Sequence, residues 1–414
     1  MKNTPDNVMV DDSFLEPALL LLRDYCRQRR EIEGLTDEAF LRLGILRVFG
    51  QCDSGRDFLQ AQADAGSELA RTTWFDALHS NRRLAMVTEV AGKSYEIFRR
   101  LLQQRDWLGA FPELEGRAVW AVDGHQIAHA CHAQPGPKGE AVSVGVIYGL
   151  CLHTGLLRPL APFQGDGVRR HEWPVFKKNA FRWLRQDAGK KMPIIVGDPA
   201  YIDVLYWFEQ RRLGQATIIT REKENMKPAI TSRYSYDPED PVNRGVEADE
   251  MAGYTHAYMR RIVYRDPASG ERFVFITTVM DLRPGMIALL YFLRWKIEKA
   301  YDVTKNRLHQ QKAWANGSTA NLIQAHLCAL AHNLLTLLLS TLEKTGLSEE
   351  KLEKKHAQRI SHNRQDQRVP AQEMVRHAAQ MTCQFIRLVR HCLFQKTSWQ
   401  VALPLFQARL RFYL

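Results

Sequence analysis

Three acidic residues in this chain stand where phosphate chemistry could be done. Asp123 falls inside the apolar run "RAVWAVDGHQIAHA", Asp198 closes the run "MPIIVGD", and Glu298 lies in "YFLRWKIEKAYDVTK". A lone carboxylate on a buried strand is costly unless it meets a partner. A third carboxylate on a following helix completes a pocket of hard oxygen donors, which suits Mg²⁺ or Mn²⁺ rather than zinc. Around Glu298, the residues Tyr291, Arg294 and Lys305 share one stripe of a helical wheel, all four within roughly 60° at about 100° per residue. Leu293, Ile297, Ala300, Tyr301 and Leu308 take the far side. By itself the stripe also fits a solvated face with ion pairs one turn apart, such as Arg294 with Glu298.

Elements must bring these residues together. "RAVWAVDGHQIAHA", "AVSVGVIYGLCLH" and "GLLRPLAPFQG" read as a meander of strands. The basic helix "EWPVFKKNAFRWLRQDAG", the strand "MPIIVGD", the helix "YIDVLYWFEQRRLG" and the strand "QATIIT" follow. That order is the one of an RNase H-like α/β domain, and carboxyl ends of adjacent strands are where such sheets assemble sites. Residues 222–281 break the alternation with a hairpin, "HAYMRRIVYRD"–"SG"–"ERFVFITTVMD", expected as a β-rich insertion outside the central sheet. A long helix is expected from Pro284 to about residue 312. The apolar stretch "LIQAHLCALAHNLLTLLLSTL" contains Gln324, His326, His332 and Asn333, so it reads as a buried core helix rather than a membrane span.

The flanks look helical. Residues 1–115 are expected to form an all-α N-terminal domain, with Thr36 capping one helix. There Arg71, Thr72, Thr73 and Trp74, with Arg82 and Arg83 beyond them, fit either a DNA-reading helix-turn-helix or a plain helical hairpin. The catalytic domain is expected over 116–345, and a basic helical region, read as a dimerisation element, over 346–414.

Charge narrows the class of partner. Lys+Arg 57 against Asp+Glu 46 gives +11, a surplus that favours a polyanion such as nucleic acid. Residues 167–191 alone hold eight Lys/Arg against two acids, and Lys177, Lys178 and Arg182 on that helix are expected to track a DNA backbone. Arg221 follows a sheet strand and suits either a DNA contact or a structural salt bridge. The seven cysteines form no CxxC pair, which argues against a zinc ribbon or a disulfide framework and for a reducing, cytoplasmic setting. The first residues lack the pattern of a signal peptide. "HQIAHACH" has no second ligand cluster at a zinc spacing.

Taken with the two aspartates, "YFLRWKIEKAYDVTK" reads Tyr-x2-Arg-x3-Glu-x6-Lys and resembles the signature of bacterial insertion-sequence transposases of the DDE type. "VDGH" and "VGDPAYID" are similar to that family's first and second acid motifs, and Gly124-His125 departs from the small and hydroxyl residues that often follow the first acid. The resemblance covers about residues 115–345. It implies that Asp123, Asp198 and Glu298 are catalytic and hold two Mg²⁺ (or Mn²⁺) ions, and that Tyr291, Arg294 and Lys305 grip DNA phosphates. It further implies a DNA transposase that binds the terminal inverted repeats of its own element and acts on double-stranded DNA, including target DNA, by cut-and-paste transposition. A homodimer in the synaptic complex and a place near the bacterial nucleoid go with that reading. The alternative is a catalytically inactive, transposase-derived DNA-binding regulator, which would be expected to have lost at least one of the acids or helix partners kept here.

Overall fold

The computed structural model describes residues 35–50, 52, 54–64, 69–102, 108–127, 143–165, 172–186, 191–255, 257–267, 269–304 and 310–346. Lys305, the helix expected past residue 304, the zinc-like "HACH" and the region 347–414 lie outside them.

Four helices come first: α1 (Asp37–Phe49), α2 (Gly55–Asp64), α3 (Arg71–Leu78) and α4 (Asn81–Leu102). Thr36 caps α1 as expected, its hydroxyl accepting from the Ala39 amide at 3.1 Å. Of the residues that suggested a recognition helix, Trp74 and Arg83 turn inward. Trp74 is fully buried against Phe40, Phe58 and Trp314, and Arg82 and Arg83 both pair with Asp37 at 2.8 Å. Arg71 and Thr72 stay exposed.

Strands β1 (Val119–Ile127), β2 (Ser143–Cys151) and β3 (Leu157–Gly165) form the expected antiparallel meander. Helix α5 (Glu172–Val175), a π-turn (Phe176–Ala180) and α6 (Phe181–Gln186) precede β4 (Ile194–Gly197), then α7 (Val204–Arg212) and β5 (Thr217–Arg221). β4 lies parallel to both β1 and β5. Residues Val119 to Val122 and Ile194 to Gly197 are all buried, the near-continuous apolar pattern of strands covered on both faces. Trp120, Val122, Ile195 and Ile218 share one core with α1–α4 and the helices of 172–212, and Val119, Ala121, Ile194, Val196 and Ile219 share the other with residues 286–300.

The insertion departs from the expectation. β6 (Ala229–Arg233), β7 (Val246–Tyr254), β8 (Ala257–Arg265) and β9 (Arg272–Thr277) continue the central sheet, whose order is β3-β2-β1-β4-β5-β9-β8-β7-β6. The join is β9 beside β5, antiparallel, with Ile219 opposite Thr277. A pairing between residues so far apart in sequence leaves no local pattern to read. The β8–β9 hairpin itself is as expected, with Gly270 at φ 72 supplying the left-handed turn position.

The helix from Pro284 is also broken, into α8 (Pro284–Leu293) and α9 (Trp295–Asp302), and Gln310 is no longer helical. At the joint the Arg294 and Ile297 amides donate to the Tyr291 and Arg294 carbonyls, three residues back, a tightened turn of the kind that often marks a functional position. The last helix, α10 (Ser318–Gly346), is buried from Ala320 to Leu335 except at half-buried Leu322 and His326. Two of its polar groups are met by protein: Asn333 exchanges two hydrogen bonds with the Leu157 backbone, and Gln324 holds Trp314 and Lys312. Among the described residues no helix is long and apolar enough to cross a membrane.

Candidate active site

Val122 pairs with Gly197 in parallel register, so the next residues, Asp123 in the middle of β1 and Asp198 just past the end of β4, stand side by side. Alternation along the strands puts both on the face of Ala121 and Val196, the face covered by α8 and α9. Those helices carry Tyr291, Arg294 and Glu298. Asp123 and Asp198 therefore adjoin, and Glu298 is linked to Asp123 through Arg294.

Each aspartate is held by local bonds. Asp123 accepts from the Gly124 amide at 2.9 Å, and its carbonyl accepts from the Tyr301 hydroxyl at 2.7 Å. Tyr301 in turn packs its ring against His125 at 4.6 Å. Asp198 caps the short turn Pro199–Tyr201 through the Ala200 amide at 2.8 Å, and Thr220 donates to its carbonyl at 3.0 Å. Burial and then the neighbouring Asp198 charge push the Asp123 carboxyl up to about 7, against the pull of Arg294.

Arg294 is the hub of the helix side. The broken helix turns its guanidinium inward, where it is 7% exposed, pairs with Glu298 at 2.7 Å and reaches to 3.8 Å from Asp123. Its charged group also lies 5.6 Å from the centre of the Tyr291 ring, which is itself buried against Phe275. The polar stripe thus faces the sheet and the acids. For Tyr291 and Arg294 a solvated face is not what forms, while the Glu298 side chain remains 39% exposed.

The other cations differ in freedom. Lys177 is tied to Asp203 at 3.2 Å and lies over Trp173 and Tyr206. Lys178 and Arg182 are exposed, the latter against Trp183. Arg221 ends β5 over the Phe273 ring at 5.4 Å and lines an open groove with Pro199, Glu222, Lys223, Glu224 and Asn225, next to Asp198.

Two residues of the site carry no motif. Glu172, at the start of α5, is buried with its carboxylate against Gly124, and Tyr201, in the turn after Asp198, is buried behind Gly197. The signal that could have found Glu172 is an acid opening an otherwise basic helix, with a glycine after the first aspartate to make room for it.

In donor type the site suits a hard divalent cation. Asp123 and Asp198 supply adjoining carboxylates whose mutual repulsion a cation would relieve. Among the described residues no group of three or more His, Cys, Asp or Glu side chains could hold a metal ion, and Glu298 is paired with Arg294.

No curated protein matches the chain. Residues 153–334 match the family model described as the transposase DDE domain, a stretch that includes Asp198 and Glu298 and begins after Asp123. Over those residues, from the turn before β3 to the buried part of α10, the chain is similar to the DDE domain of transposases.

Proposed function

We propose that the protein is an active DNA transposase that binds the terminal inverted repeats of its own insertion sequence and moves it by cut-and-paste. The observation that carries this reading is the meeting of Asp123 and Asp198, from adjacent parallel strands, with the helix that bears Glu298. Asp123, Asp198 and Glu298 are the residues that would hold Mg²⁺ or Mn²⁺. When bound, such ions activate a water or a DNA 3′-hydroxyl and stabilise the leaving oxygen.

The chain's own groups do the positioning. Tyr301 and Thr220 pin the backbone on which Asp123 and Asp198 stand. Arg294 orients Glu298 and balances part of the acidic charge. With the scissile phosphate in place, Arg294 and Lys305 supply fixed positive charge toward its oxygens, and Tyr291 backs the guanidinium. Exposed Lys178 and Arg182, with half-buried Arg221, extend the cationic path for the DNA backbone. Two ends must be held at once, so the working complex is a homodimer on double-stranded DNA.

With Mg²⁺ and DNA carrying the element's own ends, Glu298→Gln is expected to lose strand cleavage by on the order of a thousandfold or more. End binding, read by gel shift, stays within a few-fold of the parent. Equal cleavage by variant and parent would overturn the reading.

A further inference from the structure

Behind the two aspartates lies a second acidic layer. Gly124 points to the opposite side of β1 from Asp123, and the Glu172 carboxylate fills that side. A Cβ built on Gly124 would stand 2.5 and 2.6 Å from the two Glu172 oxygens, so only glycine lets this carboxylate approach. β4 ends at Gly197, level with Val122, so no neighbouring strand extends past Asp123 on that flank of β1. Glu172 is a buried acid, 9% exposed.

Tyr201 closes the same space. It is 1% exposed, packs on Gly197, and its buried hydroxyl has no hydrogen-bond partner. Burial above all, and then the charges of Glu172, Asp123 and Asp198, raise the pKa of that hydroxyl. An orphaned buried donor beside a group of carboxylates is costly as it stands, and so is the crowding of like charges. A cation drawn to the aspartates would relieve the second cost.

We propose that Glu172 is a positioning residue of this site, which strengthens the hold of Asp123 and Asp198 on a divalent cation from the far side of Gly124, with Tyr201 walling the pair from solvent. This rests on the transposase reading above. Groups that stand behind metal ligands commonly change affinity by about 10–100-fold when removed.

The test is Mn²⁺ binding by the full chain without DNA, measured by calorimetry, with folding checked by circular dichroism. Glu172→Gln is expected to weaken Mn²⁺ binding about tenfold or more, and Glu172→Asp to recover part of it. If Glu172→Gln does not fold, Gly124→Ala carries the same test, because its methyl group displaces the carboxylate while Asp123 and Asp198 remain. Parent-like affinity in the folded variant overturns the role of Glu172 alone. Mn²⁺ binding that is absent from the parent, or that survives Asp123→Asn with Asp198→Asn, overturns the site reading and this inference with it.

Discussion

In the β6–β9 half of the sheet, Arg260 meets both oxygens of buried Asp249 at 2.8 and 2.6 Å, and Arg261 is shared between Glu222 and Glu250 at 2.9–3.2 Å. Arg260 also donates to the Leu282 carbonyl at 2.7 Å, tying the insertion to the segment that launches α8. Where Asp123 in β1 meets the end of β4 the accounting differs. Arg294 pairs with Glu298 and only approaches Asp123, whose carboxyl also feels the charges of Asp198 and Glu172. One buried Arg294 nitrogen and the Tyr201 hydroxyl find no partner. Buried Asp249 is matched by two nitrogens of one arginine, whereas Asp123 adjoins Asp198 with Arg294 3.8 Å away. On the function proposed above, the matched insertion braces the segment that launches α8, and the unbalanced side is the site.

Breaking the matched side should have the largest effect on stability. Arg260→Ala leaves Asp249 buried without its cation and is expected to cost about 3–5 kcal/mol, read by urea denaturation; a loss below about 1 kcal/mol would show that the pair braces little.

The unbalanced side should respond in the opposite direction. Asp123 keeps its proton more tightly in the folded chain than at its ordinary value of 3.8. Its stabilising contribution is thus full below that value and is lost as pH rises to about 7. Without divalent cation, Asp123→Asn should match the parent near pH 4, gain over it through pH 7, and keep the gain above. The melting temperature should rise by roughly 2–4 °C per kcal/mol regained. A gap that stays flat across this range would remove the electrostatic strain from the account.

Much of this was legible in the sequence because it is local. The apolar runs ending near Asp123 and Asp198 gave β1 and β4, and the hairpin around Gly270 followed from alternation and a turn. The spacing of Tyr291, Arg294 and Glu298 placed them on one stripe. What escaped depends on tertiary contact. The pairing of Ile219 with Thr277 that merges the insertion into the sheet has no local pattern. The break at Arg294 has no proline or glycine to announce it, and it sets the guanidinium between Glu298 and Asp123. Trp74 and Arg83 looked suited to reading DNA, yet they bury against α1 and its cap. Glu172 was hidden in a run of cations and becomes visible only through the space left at Gly124.

The central claim is that the adjoining carboxylates of Asp123, in β1, and Asp198, at the end of β4, do the chemistry on DNA, and Asp198→Asn tests it most directly. The substitution keeps an acceptor for the Ala200 amide and so should preserve the turn that Asp198 caps. With Mg²⁺ and DNA bearing the element's ends, cleavage should fall by on the order of a thousandfold or more while end binding persists. Cleavage at the parent rate by the folded variant would contradict the account.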